Sequence, residues 1–292
     1  MPPALGIDIG ATKIACAVVN EDGSMAGSIV VEPTGSVRAE ETAGNVFRAI
    51  DRALAEREMT ASELAGIGIG SAGPIDPEGT YGDVDTLPHM HGYALGRAVR
   101  QRYGHRPAVD NDANCFALAE AAFGAGRGEA IVVGITLGTG LGCGIVVDGR
   151  IFAGTTGNAG EVGRCLVDGM MYDRALSGSG VAGVFRELTG EDCRAEEIQA
   201  RAEKGEGRAA AEAWGVYGAR LGAVLGVMAA VLDPGVIVLG GSVAAGFPWF
   251  GSAAEARMRE QLSTPAAQRV RLCCSTLGRR AGCLGAAALV LR

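Results

Sequence analysis

The fold is decided by a short run near the start of the chain, Asp8-Ile9-Gly10-Ala11-Thr12-Lys13. It joins two apolar stretches, residues 4–10 and 14–20, so we predict a strand, a tight turn and a second strand. Backbone N–H groups in so small a turn can face a phosphate, and Thr12 adds a hydroxyl donor. Asp8, at the end of a strand, could hold Mg²⁺ directly or through water. Taken alone, the run fits an ordinary exposed hairpin equally well.

The same pattern returns in the middle of the chain as Thr136-Leu137-Gly138-Thr139-Gly140-Leu141-Gly142. We predict a strand over 131–136 before this turn and another over 143–147 after it. Two such turns in equivalent places are stronger evidence than one, because a nucleoside triphosphate in a cleft must be held from both sides. The candidate residues for holding a nucleoside triphosphate in the two turns are Gly10, Ala11, Thr12, Lys13, Thr136, Gly138, Thr139 and Gly140.

A third motif is the buried strand 236–239, which runs into Gly240 and Gly241. A strand that ends in two glycines lets a flat ring or a ribose approach the backbone, so both glycines are candidates for contact with a nucleotide. An ordinary connection from helix to strand is the alternative. None of the three motifs has the G-x-x-x-x-G-K-[S/T] pattern, which disfavours the P-loop class.

The order of predicted strands and helices occurs twice along the chain. Apolar spacing predicts helices over 40–57, 93–103, 113–123, 177–188, 194–203, 207–232 and 281–291. Further strands are predicted over 25–32, 64–69, 107–110 and 150–152, with a type I′ turn at Asp148-Gly149. A hairpin-rich β segment followed by helices therefore appears in each half, which predicts two similar α/β domains with a cleft between them. We place the domains at 1–110 with 281–292, and at 111–280.

Composition narrows the class of protein. The chain has 292 residues, 48% of them hydrophobic, and a formal net charge of −7, which argues against binding to nucleic acid. Its eight cysteines show no C-x-x-C spacing, so free thiols in a reducing cytoplasm are the simplest account. The chain begins at its first strand, and we see no signal peptide and no apolar stretch of about 18 residues. We therefore expect a cytoplasmic protein without a membrane or DNA-binding extension.

In this order and spacing, the motifs resemble the hexokinase/actin-type, ribonuclease H-like ATPase fold, and more closely the ROK family of sugar kinases and repressors. The matching stretches are 6–13, 66–76, 110–128, 131–163 and 232–242. The most specific are Asn111-Asp112-Ala113-Asn114, the run Phe123-Gly124-Ala125-Gly126-Arg127-Gly128, and Asn158-Ala159-Gly160-Glu161-Val162-Gly163. The resemblance implies a homodimeric, glucokinase-like enzyme that uses ATP and Mg²⁺ to phosphorylate a hexose, at its 6-hydroxyl.

The resemblance also assigns the sugar site and the catalytic base. Taken alone, Asp112 is explained better as the N-cap of the helix that follows it. In similar kinases the Asp of the Asn-Asp pair is the general base, so the resemblance makes Asp112 the residue that accepts the proton of the sugar hydroxyl. It also implies that the sugar is bound by Ser71, Gly73, Asn111, Asp112, Glu161, Arg164 and Asp173.

Two departures from the family pattern bear on the sugar. Arg164 stands where typical members have a His that binds the sugar and often a zinc ion, and Cys165 stands alone where they carry several cysteines. A structural zinc needs four ligands, so we predict no zinc site. Arg164 could pair with Glu161 or Asp173, bind a sugar with a carboxylate or other altered group, or point to solvent. We favour the pairing, because acidic residues are near in sequence.

Other functions remain open at this point. A sugar-sensing or regulatory protein with little turnover is one, kept open by Arg164 and the missing zinc motif. A kinase for an amino or otherwise modified sugar is another, and a donor such as polyphosphate in place of ATP is a third. The retained Asp8, Asp112 and both Gly/Thr turns favour the ATP-dependent kinase.

Overall fold

The computed structural model describes residues 1–167, 169–205 and 208–291. The chain forms two compact units, Met1–Arg127 together with the chain from Leu277 onward, and Gly128–Thr276. Residues 111–127 thus lie in the first unit, whereas the sequence analysis placed them in the second domain. The reason is that helix α3 (Asp112–Phe123) packs closely on helix α9 (Ala281–Ala288). Whether each unit is an independent domain stays a prediction.

The first unit contains a five-stranded sheet among its described residues. Its strands are β1 (Ala4–Ile9), β2 (Lys13–Val19), β3 (Val30–Pro33), β4 (Gly66–Ser71) and β5 (Ala108–Asn111). They lie in the order β3-β2-β1-β4-β5, with antiparallel pairing from β3 to β1 and parallel pairing from β1 to β5. The helices of this unit are α1 (Ala39–Ala55), α2 (Leu95–Tyr103), α3 and α9.

Small residues let α9 lie directly against this sheet. A Cβ atom on Gly6 of β1 would lie 1.9 Å from the carbonyl oxygen of Cys283, and one on Gly68 of β4 would lie 1.8 Å from that of Ala286. Neither position can therefore hold a side chain without moving the helix. The close fit of α9 places it directly beneath the end of β1, where Asp8 lies.

The second unit repeats the topology of the first. Its sheet is formed by β6 (Ile131–Leu137), β7 (Leu141–Val147), β8 (Arg150–Ile151), β11 (Val236–Gly240) and β12 (Arg271–Cys274). The order is β12-β11-β6-β7-β8, again with two antiparallel and two parallel pairings. Asp148 and Gly149 both have positive φ, as the predicted type I′ turn requires. The predicted α/β class with a repeated unit is confirmed.

The second unit is completed by a short hairpin and five helices within its described residues. The hairpin is β9 (Leu166–Val167) with β10 (Met170–Met171). The helices are α4 (Tyr172–Ala175), α5 (Gly178–Thr189), α6 (Ala195–Lys204), α7 (Arg208–Leu232) and α8 (Phe247–Arg259). The predicted start of α7 at residue 207 lies outside the described residues. In the core of this unit, the aromatic rings pack against one another in stacked and edge-to-face contacts among Trp214, Tyr217 and Phe250.

Helix α7 corrects one expectation from the sequence. We found no apolar stretch of membrane-spanning length, yet α7 has 25 residues and by length and composition alone is apolar enough to cross a membrane. Half of its most apolar window is buried inside the unit, where it packs on α8. Glycines and alanines make up much of the helix and allow this packing: a Cβ atom on Gly222 would lie 2.3 Å from the carbonyl oxygen of Ala254. A core helix of this kind passes the same test as a membrane span.

Candidate active site

The first unit holds Asp8 at the end of β1 and the exposed turn that follows it. The N–H of Gly10 donates to the carbonyl oxygen of Lys13 at 3.0 Å and closes the turn. Ala11, Thr12 and Lys13 are exposed. The sequence analysis missed Thr34, a fully buried residue whose hydroxyl donates to the carbonyl oxygen of Gly10 at 2.7 Å. The turn is thus held in shape from behind while its outer side stays open to solvent.

Asp112 begins helix α3, and its neighbour provides the cap. The side-chain oxygen Oδ1 of Asn111 accepts the N–H of Ala113 at 2.8 Å, which makes Asn111 the N-cap. Oδ1 of Asp112 accepts the same N–H at 2.9 Å. The capping role considered for Asp112 therefore belongs to Asn111. The Nδ2 amide of Asn111 lies 3.4 Å from the position that a Cβ atom on Gly73 would take.

The charge of Asp112 acts on the carboxyl of Asp8. Burial and the nearby charge of Asp112 raise the pKa of Asp8 to about 6, and Lys13 opposes this. Asp112 keeps exposed surface, but the protein around it removes part of its hydration, which raises the pKa of its carboxyl; the bond from Ala113 opposes that rise. On α9, a Cβ atom at Gly282 would lie 2.2 Å from Oδ2 of Asp8, so a glycine is required there. Two carboxyls with raised pKa values thus lie in one unit beside an exposed turn.

Ser71 and Gly73 lie at and just beyond the end of β4. Ser71 is fully buried, and its hydroxyl is bonded to that of Tyr81 at 2.8 Å. Burial raises the pKa of Tyr81 to about 12, so its hydroxyl stays protonated. Tyr81 was missed from the sequence because nothing in its local pattern separates it from other buried aromatic residues. Direct contact of Ser71 or Gly73 with a sugar stays a prediction.

The second unit brings the other two predicted ATP elements together. Gly240, the last residue of β11, pairs with Thr136 of β6. Gly241 follows with φ +86°, and a Cβ atom there would lie 2.2 Å from the carbonyl oxygen of Leu137. The turn Gly138-Thr139-Gly140 begins one residue further on, and Gly138 has open space where a Cβ atom would stand. The double glycine and the Gly/Thr turn therefore form one continuous backbone surface.

The three remaining predicted sugar-binding residues lie in the segment that follows strand β8: Glu161, Arg164 and Asp173. Glu161 and Arg164 are exposed on and beside a short 3₁₀ turn, Val162–Arg164. Oδ1 of Asp173 accepts the N–H of Leu141 at 2.7 Å. Among the described residues Arg164 forms no ion pair, so the favoured pairing with Glu161 or Asp173 is wrong. The reason is that Asp173 is turned toward the backbone of β7, while Glu161 extends into solvent.

Glu120 is a further residue that the sequence analysis missed. It is fully buried on α3, and its Oε2 accepts the N–H of Ala125 at 3.0 Å. Its own carbonyl oxygen accepts the N–H groups of Gly124 and Gly126. A single glutamate therefore organises the glycine-rich run after α3, which the sequence analysis quoted as part of the family resemblance.

The metal predictions can be compared with the donors present. No group of three or more His, Cys, Asp or Glu side chains lies close enough to hold a metal ion within residues 1–167, 169–205 and 208–291. The predicted absence of zinc stays a prediction. Asp8 offers carboxylate oxygens, the donors that Mg²⁺ prefers, and sits beside the second carboxyl of Asp112, so the residues fit a magnesium ion bound partly through water.

Comparison with known proteins identifies relatives of this chain. A model of the ROK family matches residues 4–292. The N-acetyl-D-glucosamine kinase of Pasteurella multocida is 30% identical over 98% of this chain and 98% of its own length. The glucokinase of Thermotoga maritima is 35% identical over 56% of this chain, and the match spans 50% of that protein.

Solved structures agree with this assignment. The ROK family glucokinase from Streptomyces griseus, in complex with glucose and AMPPNP, matches with a TM-score of 0.79 and 28% identity, over 98% of each chain. A ROK family transcriptional regulator matches with a TM-score of 0.84 over 99% of this chain and 77% of its own, but at 23% identity that likeness shows the fold alone. The actin-like α/β fold predicted from the sequence is confirmed.

Proposed function

The chain belongs to the ROK family, and from that premise we propose that it is an ATP-dependent sugar kinase in which Asp112 is the general base. The observation that carries the proposal is the pair of carboxyls, Asp8 at the end of β1 and Asp112 at the start of α3, beside an exposed turn of the same unit. Phosphoryl transfer needs positioning, charge neutralisation and an acceptor for one proton, and these groups can supply all three.

Asp112 is suited to accept the proton of a sugar hydroxyl. One of its oxygens is held by the N–H of Ala113, which fixes the direction of the carboxylate. We assign the other oxygen to the proton of the sugar hydroxyl. Its raised pKa makes it a better proton acceptor than an ordinary aspartate. Asn111 uses its oxygen as the helix cap, so its amide N–H₂ is the group we assign to a sugar hydroxyl.

Asp8 is the group we assign to Mg²⁺, directly or through water. When bound, the ion would neutralise charge on the phosphates of ATP. The N–H groups of the turn Gly10–Lys13 are assigned to phosphate, with Thr12 as a hydroxyl donor. In the second unit, the same role is assigned to Thr136 and the turn Gly138–Gly140, and contact with the nucleoside to Gly240 and Gly241.

We propose an uncharged hexose as the substrate, with glucose and N-acetylglucosamine as the first candidates and the 6-hydroxyl as the acceptor. The support is that relatives named glucokinase and N-acetyl-D-glucosamine kinase both match this chain. Glu161 keeps its predicted contact with the sugar, and Arg164, exposed beside it, is the residue most able to alter the choice among sugars. A homodimer and a cytoplasmic location stay predictions.

A coupled assay of ADP release with Mg·ATP tests the proposal. The panel contains glucose, mannose, fructose, allose, N-acetylmannosamine, N-acetylglucosamine, glucosamine, 3-amino-3-deoxyglucose, myo-inositol and a uronic acid, with polyphosphate as a second donor. We expect ADP release that depends on one or two uncharged hexoses. Turnover only with the uronic acid would make Arg164 the residue that selects the substrate. Sugar binding without any turnover would contradict the kinase and favour a regulatory protein.

A further inference from the structure

The side chain of Asp173 is bonded to the turn that we assign to phosphate. The β6–β7 hairpin closes between Leu137 and Leu141, with Gly138-Thr139-Gly140 between them. At its far end the N–H of Leu141 donates to Oδ1 of Asp173, on α4, at 2.7 Å. Charge-assisted bonds of this kind are roughly twice as strong as those between neutral groups. Asp173 therefore holds the first residue of β7 from outside the sheet.

Gly140 shows that the carboxylate is pressed against the turn. A Cβ atom on Gly140 would lie 2.4 Å from Oδ1 of Asp173 and 3.2 Å from Oδ2. The φ angle of Gly140 lies outside the left-handed region, so its backbone does not itself require glycine. What requires glycine is the space that the carboxylate occupies. The carboxylate of Asp173 thus lies against the turn, while the residue as a whole keeps exposed surface.

The other end of the turn is held from the same segment. The N–H of Gly178, at the start of α5, donates to the carbonyl oxygen of Gly138 at 3.1 Å. Within the turn, the N–H of Gly138 donates to the carbonyl oxygen of Gly140 at 3.0 Å. Residues 173–178 therefore hold the turn at its first residue, Gly138, and at Leu141, the residue that follows it, while Thr139 at its tip is exposed.

We propose that Asp173 is a positioning residue for the phosphate-binding turn. The inference rests on the proposed function, since it takes this turn to bind the phosphates of ATP. The sequence analysis assigned Asp173 to the sugar, in the place of a glutamate that is one methylene longer. Oδ1 of this shorter side chain is bonded instead to the N–H of Leu141 and lies close to Gly140. Its contribution to the reaction is the shape of the turn.

Two variants separate the two roles of Asp173. Asp173→Ala removes the acceptor for the N–H of Leu141, so we expect the Kd and KM for Mg·ATP to rise about five- to tenfold, the size that loss of one such bond gives. Asp173→Asn keeps an oxygen in the same place and should stay within about threefold of the wild type. For both variants the Kd for glucose or N-acetylglucosamine should stay unchanged. A sugar contact would raise the sugar Kd in both and leave Mg·ATP binding alone.

Gly140→Ala provides a second test that needs no catalysis. In the wild-type background the new methyl group meets the carboxylate of Asp173, so Mg·ATP binding should weaken. In the Asp173→Ala background that collision is absent, so the double variant should bind Mg·ATP no worse than Asp173→Ala alone. If Gly140→Ala weakened Mg·ATP binding by the same factor in both backgrounds, the proposal would be overturned. Circular dichroism and thermal unfolding check that each variant is folded.

Amide hydrogen exchange at Leu141 separates this inference from the proposed function. Exchange at this amide should be faster in Asp173→Ala than in the wild type and close to the wild-type rate in Asp173→Asn, whether or not ATP binds. Unchanged exchange in folded Asp173→Ala, or a rise in the sugar Kd alone, would overturn the positioning role. If calorimetry showed that the wild-type protein does not bind Mg·ATP, the proposed function would be contradicted instead. The exchange rates would still show whether Asp173 holds the N–H of Leu141.

Discussion

The charge of Asp112, at the start of α3, raises the pKa of Asp8, at the end of β1. Burial is the larger cause, and together they bring the pKa of Asp8 to about 6, against the pull of Lys13. A carboxyl held in such surroundings is destabilising when ionised. We expect such destabilisation at a site that binds a cation and a substrate, because a bound positive charge would offset the repulsion between the two carboxylates.

Asp8 should therefore make the ligand-free protein less stable at neutral pH than below pH 4. A carboxyl whose pKa is raised by folding binds its proton more tightly in the folded state. The stability that this gives is fully present below its unfolded value of 3.8 and is lost as the pH rises through about 6. The rise of roughly two units corresponds to at most about 3 kcal/mol. Asp8→Asn should then raise the melting temperature at pH 7.5 by several degrees.

Thermal unfolding of the two proteins between pH 4 and pH 8 measures this effect. The gain from Asp8→Asn should shrink toward zero as the pH falls to 4, since Asp8 is then protonated in the wild type too. Asp85, an exposed aspartate, gives the matched control, and Asp85→Asn should leave the curve unchanged. A lower melting temperature for Asp8→Asn at pH 7.5 would show that the charge of Asp8 stabilises the fold.

Gly241→Ala should damage the second unit. Gly241 has φ +86° and ψ 173°, a backbone region that is essentially restricted to glycine and costs other residues about 1–3 kcal/mol. The methyl group would also lie 2.2 Å from the carbonyl oxygen of Leu137. Urea unfolding should show a loss of at least that size, and Mg·ATP binding should weaken. Gly183, inside α5 with open space around it, is the control: Gly183→Ala should be neutral or gain up to about 1 kcal/mol.

The sequence predicted the fold well where the pattern is local. The strands around the two Gly/Thr turns were placed within two residues, because β-branched runs broken by glycine carry their own signal. Helix α8 and strand β12 were not predicted. Helix α8 begins Phe-Pro-Trp-Phe-Gly, which has no clear helical spacing, and packing against α7 stabilises it. Strand β12 is a four-residue edge strand, too short to show a pattern.

The site was predicted less completely, because many of its contacts join residues far apart in sequence. Asp8 and Asp112 were identified, but not the influence of one charge on the other. Thr34 holds the first turn across 24 positions, and nothing local marks it. Arg164 shows the opposite error, since acidic residues near in sequence suggested an ion pair that Arg164 does not form within the described residues, where Asp173 is bonded to the N–H of Leu141 instead.

Arg164→Ala should change the choice of sugar without changing the fold. Arg164 is exposed and pairs with neither Glu161 nor Asp173, so the free energy of unfolding should stay within about 0.5 kcal/mol of the wild type. The Kd for Mg·ATP should also stay unchanged, and the effect should fall on the KM for the sugar. Urea unfolding measures the free energy of unfolding, and the sugar panel measures the KM for each sugar.

Arg259→Ala provides the contrasting control for Arg164. The guanidinium of Arg259 bonds Glu255 at 2.5 Å and also the carbonyl oxygens of Gln268 and Val270. Its removal should destabilise the protein by about 1–3 kcal/mol and leave the sugar preference alone. A loss above 1 kcal/mol for Arg164→Ala would mean that Arg164 has a structural role.

The central claim is that Asp112 accepts the proton of the sugar hydroxyl, and Asp112→Asn tests it most directly. The substitution keeps the size of the side chain and an oxygen for the N–H of Ala113, while it removes the proton acceptor. Steady-state ADP release and calorimetric sugar binding are measured on the same preparation. We predict that kcat falls about 10²- to 10⁴-fold while the sugar Kd changes by less than about threefold. A variant that keeps more than a tenth of the wild-type kcat would contradict the account.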